Sequence, residues 1–330
     1  MPNSIGKNIL VTGGAGYIGS HTVGLLVEQG YNVTIIDDLS SGFKDSLPKE
    51  VTLIQGNILD ESFLDSAFQS SKFDSLIHFA AKTVVPESCE NPQKYYSNNL
   101  VGSLNVFSNC VKHGVTKVIF SSTAAVYGNA NEVVSEESPC DPINPYGQTK
   151  LLSEKILQDF FQAYKLNYVV LRYFNVAGAH PNNTNGQRTK NATHLIKVAA
   201  EAASNKRKGI QVYGNNFSTP DGTCVRDYIH VMDLAQAHIE ALKFLDANRG
   251  NNTFNCGYGK GSSVLEVIET MKRVSQSDFE VTMAPPRAGD PASLTANNSK
   301  ILSHLEWTPQ YQDLSLICDT AFKWESSQPD

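Results

Sequence analysis

With 330 residues, 41% of them hydrophobic and 18% charged, the chain can bury one large core, or one core and a smaller lobe. A net charge of −6 offers no basic footprint for nucleic acid or anionic lipid, and Lys206-Arg207-Lys208 reads as a solvated turn after a helix. No apolar run approaches the roughly 18 residues that span a bilayer, residues 1–7 carry no charged-then-apolar leader, and six cysteines are scattered without Cys-x-x-Cys spacing, which together predict a cytoplasmic protein with reduced thiols and no metal.

In chain order, a strand is predicted over 8–11, and Gly13-Gly14-Ala15-Gly16-Tyr17-Ile18-Gly19 leads from it into a helix over about 17–29. Strands follow at 32–36, 51–55, 75–79 and 117–121, with helical patterns near 60–69 and 95–113 between them. This alternation predicts an α/β fold, a Rossmann-type doubly wound parallel sheet whose ligands sit beyond the carboxyl ends of the strands. A strand at 168–173 continues the sheet. Past about residue 175, Asn and Gly break the chain into shorter elements, at 180–186, 214–216 and 248–252. A nucleotide-binding unit over 1–175 and a smaller C-terminal α/β lobe over 176–330 are therefore expected, with the chain crossing between them.

Gly13, Gly16 and Gly19, with Tyr17 and Ile18 in the same turn, lie between strand and helix. There bare backbone can approach a pyrophosphate while the helix N-terminus turns N–H groups toward it. Asp37 closes the next strand and can accept from adenosine ribose hydroxyls. Its charge would repel a 2′-phosphate, and no Arg follows in Asp38-Leu39-Ser40-Ser41, which predicts NAD rather than NADP. Without the glycine loop before it, Asp37 would serve equally as a turn residue. Asn57 and Ile58 end the third strand where an adenine contact fits, and Phe79, Ala80 and Ala81 end the fourth with room for a cofactor to pass.

Tyr146 and Lys150 are four residues apart in a segment of helical periodicity that starts after Asn144-Pro145, so they share a face. A tyrosine is a poor base at neutral pH, but a nearby ammonium and an oxidised nicotinamide both favour the phenolate, which can then move a proton to or from an alcohol. Of Ser121-Ser122-Thr123, which end a strand, Thr123 is the expected hydroxyl that orients the substrate. An isolated Tyr-x-x-x-Lys is usually an exposed helix pair; the glycine loop and the hydroxyl-bearing strand end distinguish this one.

Together with Thr12 to His21, Ala124-Ala125-Val126-Tyr127-Gly128, Leu171 to Ala179 and Val225 to Asp233, these motifs resemble the extended short-chain dehydrogenase/reductases, and among them the nucleotide-sugar epimerases, nearly end to end. The resemblance implies a tightly held NAD and inversion at C4 of UDP-glucose and UDP-galactose through a transient 4-keto sugar. It implies that Asn98 and Tyr173 join the cofactor site, that Asn175, Arg226, Arg287 and Asp290 grip the UDP-sugar, and that His194, Leu195 and Tyr213 meet uridine. Apolar spacing sets Leu100, Leu104 and Phe107 along the helix near 95–113 and Leu152, Ile156 and Phe160 along the one near 153–164, and the resemblance implies that these helices pair two copies into a homodimer. Read alone, Arg226-Asp227 is a structural salt bridge and His194 a surface histidine. Asn57 replaces an acidic residue of the pattern, and Thr83 a lysine, with Lys82 one position away. Leu294 stands where relatives restricted to simple sugars tend to carry Tyr, which extends the expectation to UDP-N-acetylhexosamines. Related dehydratases follow the threonine with Asp-Glu, whereas Ala124 and Ala125 cannot transfer protons. A non-catalytic NAD-binding regulator would have no use for Tyr146, Lys150 and Thr123 together.

Overall fold

The computed structural model describes residues 6–130, 132–190, 192–287 and 290–329; residues 1–5, and Ala288-Gly289 within the expected sugar-binding stretch, lie outside the described residues. β1 (Asn8–Thr12), β2 (Asn32–Asp37), β3 (Thr52–Gln55), β4 (Ser75–His78), β5 (Lys117–Thr123), β7 (Asn167–Tyr173) and β11 (Asn252–Cys256) form one parallel sheet in the order β11-β7-β5-β4-β1-β2-β3. The strands read as continuous apolar runs because both faces are covered. Ile9, Val11, Ile35, Ile77, Ile119 and Val169 pack with the helices Tyr17–Glu28 and Val231–Asp246. Leu10, Ile36, Leu76, Val118, Phe120 and Val170 pack on the other face, with Leu64, Phe68, Val106, Phe107 and Leu157 from three further helices. The strand order reverses between β1 and β4, which opens a crevice at their carboxyl ends.

The lobe is built on β10 (Val225–His230), flanked by β12 (Gly261–Ser263) and β14 (Ser293–Ala296) and joined at one end by β8 (Asn175–Ala177); β14 pairs with β6 (Glu132–Val134), and β9 (Gly209–Tyr213) pairs with β13 (Glu280–Ala284). No single cut at 175 separates the two units. β6 belongs to the lobe, while β11 and the Val231–Asp246 helix return to the large sheet.

Two local expectations change. The segment near 95–113 is not one regular helix: Pro92–Tyr95 leads into a π-helical stretch, Tyr96–Val101, before Gly102–Lys112 resumes the α-helix. Such wide turns cluster at functional sites. Within it, Asn99 accepts from the backbone N–H of Lys82 at 2.8 Å and donates to its carbonyl at 2.9 Å. Arg226 and Asp227 do not pair with one another either. Asp227 points the other way on the strand and accepts backbone N–H groups of Tyr258, Gly259 and Ala296 at 2.9, 2.9 and 3.1 Å.

Two buried histidines brace the strands that carry the crevice. His78 lies between the Thr12 hydroxyl, 2.5 Å from Nδ1, and Ser103, 2.9 Å from Nε2; His238 lies between Ser121, 3.0 Å from Nε2, and the Leu234 carbonyl, 2.8 Å from Nδ1. Burial pulls them down to about 3 and about 4, helped at His78 by the charge of Lys150. A folded-state pKa below the ordinary value of about 6.5 leaves their contribution to stability whole above that pH and removes it as pH falls toward 4, at up to about 1.4 kcal/mol per pH unit each. Urea denaturation should therefore give a lower midpoint at pH 5.5 than at pH 7.5, and equal midpoints would contradict this account.

Candidate active site

The glycine loop connects β1 to the Tyr17–Glu28 helix, with Gly16 as its N-cap. Gly13 has φ +72°, and a Cβ there would stand 2.5 Å from the backbone nitrogen of Ala80 and 2.9 Å from the carbonyl carbon of Phe79. The loop after β1 and the loop after β4 thus meet backbone to backbone, which only glycine allows. Asp37, at the end of β2, accepts from Ala15 N–H at 2.9 Å and from Leu39 N–H at 2.8 Å. Burial raises its carboxyl above the usual range, and those two N–H groups oppose the shift. The sequence brings Gly13, Gly16, Tyr17, Gly19, Asp37, Phe79, Ala80 and Ala81 to one crevice, whose backbone-walled floor fits a dinucleotide.

Tyr146 and Lys150 sit in the first turns of the Pro145–Tyr164 helix, which Asn144 starts by accepting from Gly147 N–H at 2.8 Å. Both side chains are buried. The Lys150 ammonium donates to the Ser121 carbonyl at 2.8 Å and lies 4.9 Å from the centre of the Phe120 ring. Burial pulls it down to about 7, against the favourable charge of Glu154. The same burial pushes the Tyr146 phenol up, and a hydrogen bond with Thr123 pulls it back. Thr123 is the last residue of β5 and caps the turn Ala124–Tyr127, its hydroxyl accepting from Ala125 N–H at 3.1 Å. One hydroxyl, one phenol and one ammonium therefore converge at the open end of the sheet, an arrangement able to orient an alcohol and exchange its proton.

A cavity of about 510 Å³ lies in the lobe, lined among others by Asn175, His194, Leu195, Tyr213, Arg226, Arg287 and Asp290. The Arg287 guanidinium stacks 3.8 Å from the Tyr213 ring centre. Arg226 donates to the carbonyls of Val225 and Pro291 at 2.9 and 2.8 Å and lies 3.6 Å from Asp290. Two guanidiniums held this way suit a diphosphate.

The sequence profile of the NAD dependent epimerase/dehydratase family matches residues 9–257, which spans the crevice, the Tyr146–Lys150 helix and β10. The chain belongs to this epimerase/dehydratase family. A UDP-glucose 4-epimerase of Azospirillum brasilense is 47% identical over 97% of this chain and 92% of its own length. The crystal structure of a UDP-glucose 4-epimerase from Brucella ovis in complex with NAD is similar with a TM-score of 0.94, at 41% identity, covering 97% of this chain and 98% of that one. The UDP-Glc/GlcNAc 4-epimerase of Campylobacter jejuni is 48% identical with a TM-score of 0.86, covering 97% of this chain and 99% of that one.

Several expected site residues of this epimerase/dehydratase family member have other occupations. The Asn57 side chain is exposed and its carbonyl accepts from Leu59 N–H at 2.9 Å, while the Ile58 side chain is buried in the core against Gly102, which leaves the Ile58 backbone at the end of the strand. Tyr17 donates to the Gly178 carbonyl at 2.6 Å, tying the glycine loop to the segment after β8, and Ile18 packs partly into the core. Asn98 donates to Asn99 at 3.0 Å, and Tyr173 is hydrogen-bonded with Ser121. Lys82, next to Thr83, reaches the hydroxyl of Ser40 at 2.8 Å. Leu294 is not among the residues that line this cavity and packs with Ala124, Val126 and Phe174 beside the end of β5. Gln187, Tyr228 and Trp324 line the cavity without having been expected. The nitrogen of Gln187 donates to His194 Nδ1 at 3.0 Å, which leaves Nε2 carrying the proton toward the cavity. Their sequence surroundings hold no motif, because only the tertiary fold brings them together.

Tyr146→Phe keeps the ring and removes the proton-transferring oxygen. It should lower turnover by about 10²-fold or more while leaving dinucleotide binding intact by equilibrium dialysis. Retention of more than a tenth of the wild-type rate would contradict the role of the phenol.

Proposed function

We propose that this chain interconverts UDP-glucose and UDP-galactose by inverting C4, with NAD bound throughout, and that it acts in the cytoplasm. The observation that carries the reading is the end of β5: Thr123 stands with Tyr146 and Lys150, and is followed by Ala124 and Ala125, which offer no acid or base for an elimination. Bound NAD would supply the hydride chemistry at C4, the hydrogen leaving with its electron pair and returning to the opposite face of the ring. Thr123 orients the C4 hydroxyl, and Tyr146 accepts its proton as the keto group forms and gives it back as the alcohol is restored. Lys150, its ammonium anchored on the Ser121 carbonyl, favours the phenolate and fixes the helix turn that carries Tyr146. Arg226 and Arg287 hold the diphosphate, Asn175 and Asp290 flank it, and His194, Leu195 and Tyr213 enclose the uridine, so that the nucleotide stays anchored while the sugar turns over. The name of the Brucella ovis relative supports the activity, and its NAD complex supports the cofactor. Six free cysteines agree with a reducing compartment, and no helix among the described residues is long and apolar enough to cross a membrane.

The same site accepts UDP-N-acetylhexosamines. Leu294 is paired in register with Arg226 and sits beside Ala124 and Phe174, a position where a phenol ring would project further than isobutyl. The Campylobacter jejuni relative, which its name gives as acting on both sugar types, supports this. Steric selection by one small group is graded, worth about 1–3 kcal/mol. Two copies also associate. Val101, Leu104 and Tyr164 are exposed, and Leu100, Leu152, Ile156 and Phe160 are half-buried on the adjoining Gly102–Lys112 and Pro145–Tyr164 helices and the turn before them, an apolar surface suited to a second copy. Phe107, which the apolar spacing places in that surface, is instead wholly buried in the core and takes no part.

Purified protein incubated with UDP-galactose should yield UDP-glucose without added reductant. It should also convert UDP-N-acetylgalactosamine, and Leu294→Tyr should lose kcat/KM selectively for the acetylated sugar. No UDP-glucose formed would refute the central reading, and an equal effect of the substitution on both sugars would refute the part given to Leu294. Light scattering at micromolar concentration should report about twice the 36.1 kDa chain mass; a monomer would refute the dimer.

A further inference from the structure

Behind the three residues that meet the substrate lies a buried polar network with no part in the chemistry described so far. Glu154, one turn beyond Lys150 on the same helix, accepts from Arg172 Nε at 3.1 and 3.2 Å and from Nη2 at 2.6 Å, and also from the Ser122 hydroxyl. Arg172 Nη1 donates to the Tyr127 hydroxyl at 3.0 Å, Tyr127 donates to Asn255 Oδ1 at 2.6 Å, and Asn255 donates to the Val134 carbonyl at 2.8 Å. Glu154 and Arg172 are 2% and 7% exposed, and neither lines the cavity.

A buried ion pair is weak evidence for stability, since apolar residues of similar volume often serve as well. Its placement here is more informative. Ser122 lies between Ser121, whose carbonyl holds Lys150, and Thr123. Tyr127 closes the turn that Thr123 caps. The bonds to Glu154, Ser122 and Tyr127 thus end one residue or one turn from a member of the reacting trio. Glu154 is also the charged side chain nearest in sequence to Lys150, and its carboxylate favours the ammonium against the cost of burial.

We propose that Glu154 and Arg172 are positioning residues for proton transfer: the carboxylate favours the charged form of Lys150, the guanidinium, itself anchored on Tyr127, holds that carboxylate against Ser122, and together they set the pH range in which the Tyr146–Lys150 couple works. The other titratable groups around the couple come from every element packed on it. His78 of β4 and His238 of the Val231–Asp246 helix are neutral at working pH, both being buried. Tyr95 and Tyr173 are buried phenols pushed upward, and Tyr168 beside Glu154 is likewise raised by burial. Cys140, ahead of the helix, is a half-buried thiol raised by burial and drawn back by Arg172. None of these carries charge near neutral pH, which leaves Glu154 and Arg172 to do the tuning.

The signs are opposite for the two partners. Glu154→Gln leaves Arg172 unpaired and adds net positive charge near Lys150, whereas Arg172→Met leaves the carboxylate unpaired. In the kcat/KM profile for UDP-galactose, the alkaline limb, where Lys150 loses its proton, should move to lower pH by about one unit or more in Glu154→Gln. It should not move downward in Arg172→Met. The double variant Glu154→Gln/Arg172→Met, which lacks the favouring carboxylate but leaves no unpaired guanidinium, should place the limb below its wild-type position but less far down than Glu154→Gln does, with kcat reduced because the guanidinium anchor on Tyr127 is lost. A merely structural network would lower the rate without moving the limb. A limb that stays in place in folded, NAD-loaded Glu154→Gln, or a double variant whose limb lies at the wild-type position or as low as that of Glu154→Gln, would overturn the proposal. Should the single variants not fold, the double variant decides: a limb moved to lower pH with reduced kcat supports the pair, and a limb at the wild-type position or an unchanged kcat overturns it. The proposal rests on the epimerase reading, and wild-type turnover with unmoved limbs in the variants separates the two failures, overturning the role of the pair alone.

Discussion

The buried ammonium of Lys150, donating to the Ser121 carbonyl at the carboxyl end of β5, is the contact on which the rest of the site depends. An ammonium taken out of water needs fixed acceptors, or it loses its proton. The carbonyl is available because β5 outruns β4: pairing with β4 stops at Phe120, while Ser121 to Thr123 pair only with β7. The sheet edge is in turn fixed by the glycine loop, whose backbone touches that of Ala80 where β4 ends. Moving any of these strand ends would leave the ammonium without its acceptor, the phenol without its neighbouring charge, or the dinucleotide without its floor.

Burial acts on the couple from both sides. It disfavours phenolate and ammonium alike, so the working state exists only because several fixed dipoles and charges favour it at once: the Ser121 carbonyl, the Thr123 hydroxyl and the Glu154 carboxylate. Such preorganised groups need little rearrangement when charge moves during reaction. The lobe contributes in a different way. Its sheet is anchored by Asp227, whose carboxylate gathers N–H groups from the segment after β11 and from β14, and it presents two guanidiniums at the cavity. A nucleotide gripped there leaves the hexose free to expose either face to the same phenol.

What the sequence revealed divides along a physical line. Parallel strands buried on both faces read as apolar runs, and Gly13 and the Tyr146–Lys150 spacing are local patterns, so the sheet and the reacting groups were legible from neighbouring residues alone. Groups whose partners lie far along the chain were not. Phe107 shows an apolar spacing that suits a surface as well as a core, and only the sheet decides that it points inward. The wide turn at Tyr96–Val101 depends on Asn99 holding Lys82, a contact between two different loops. That the Ile58 side chain fills the core at the end of its strand depends on Gly102, far along the chain, leaving room for it. Glu154 and Arg172 stood inside recognised motifs, yet their bidentate pairing is visible only when helix and strand are brought together.

The central claim is that the C4 hydrogen leaves and returns inside one closed site while only the hydroxyl proton passes through Tyr146. UDP-galactose carrying deuterium at C4, incubated with the protein in ordinary water and followed to equilibrium by NMR, tests this most directly. The account requires UDP-glucose that retains the full label at C4. Progressive replacement of the label by solvent hydrogen would show C4 exchanging with water and would contradict it.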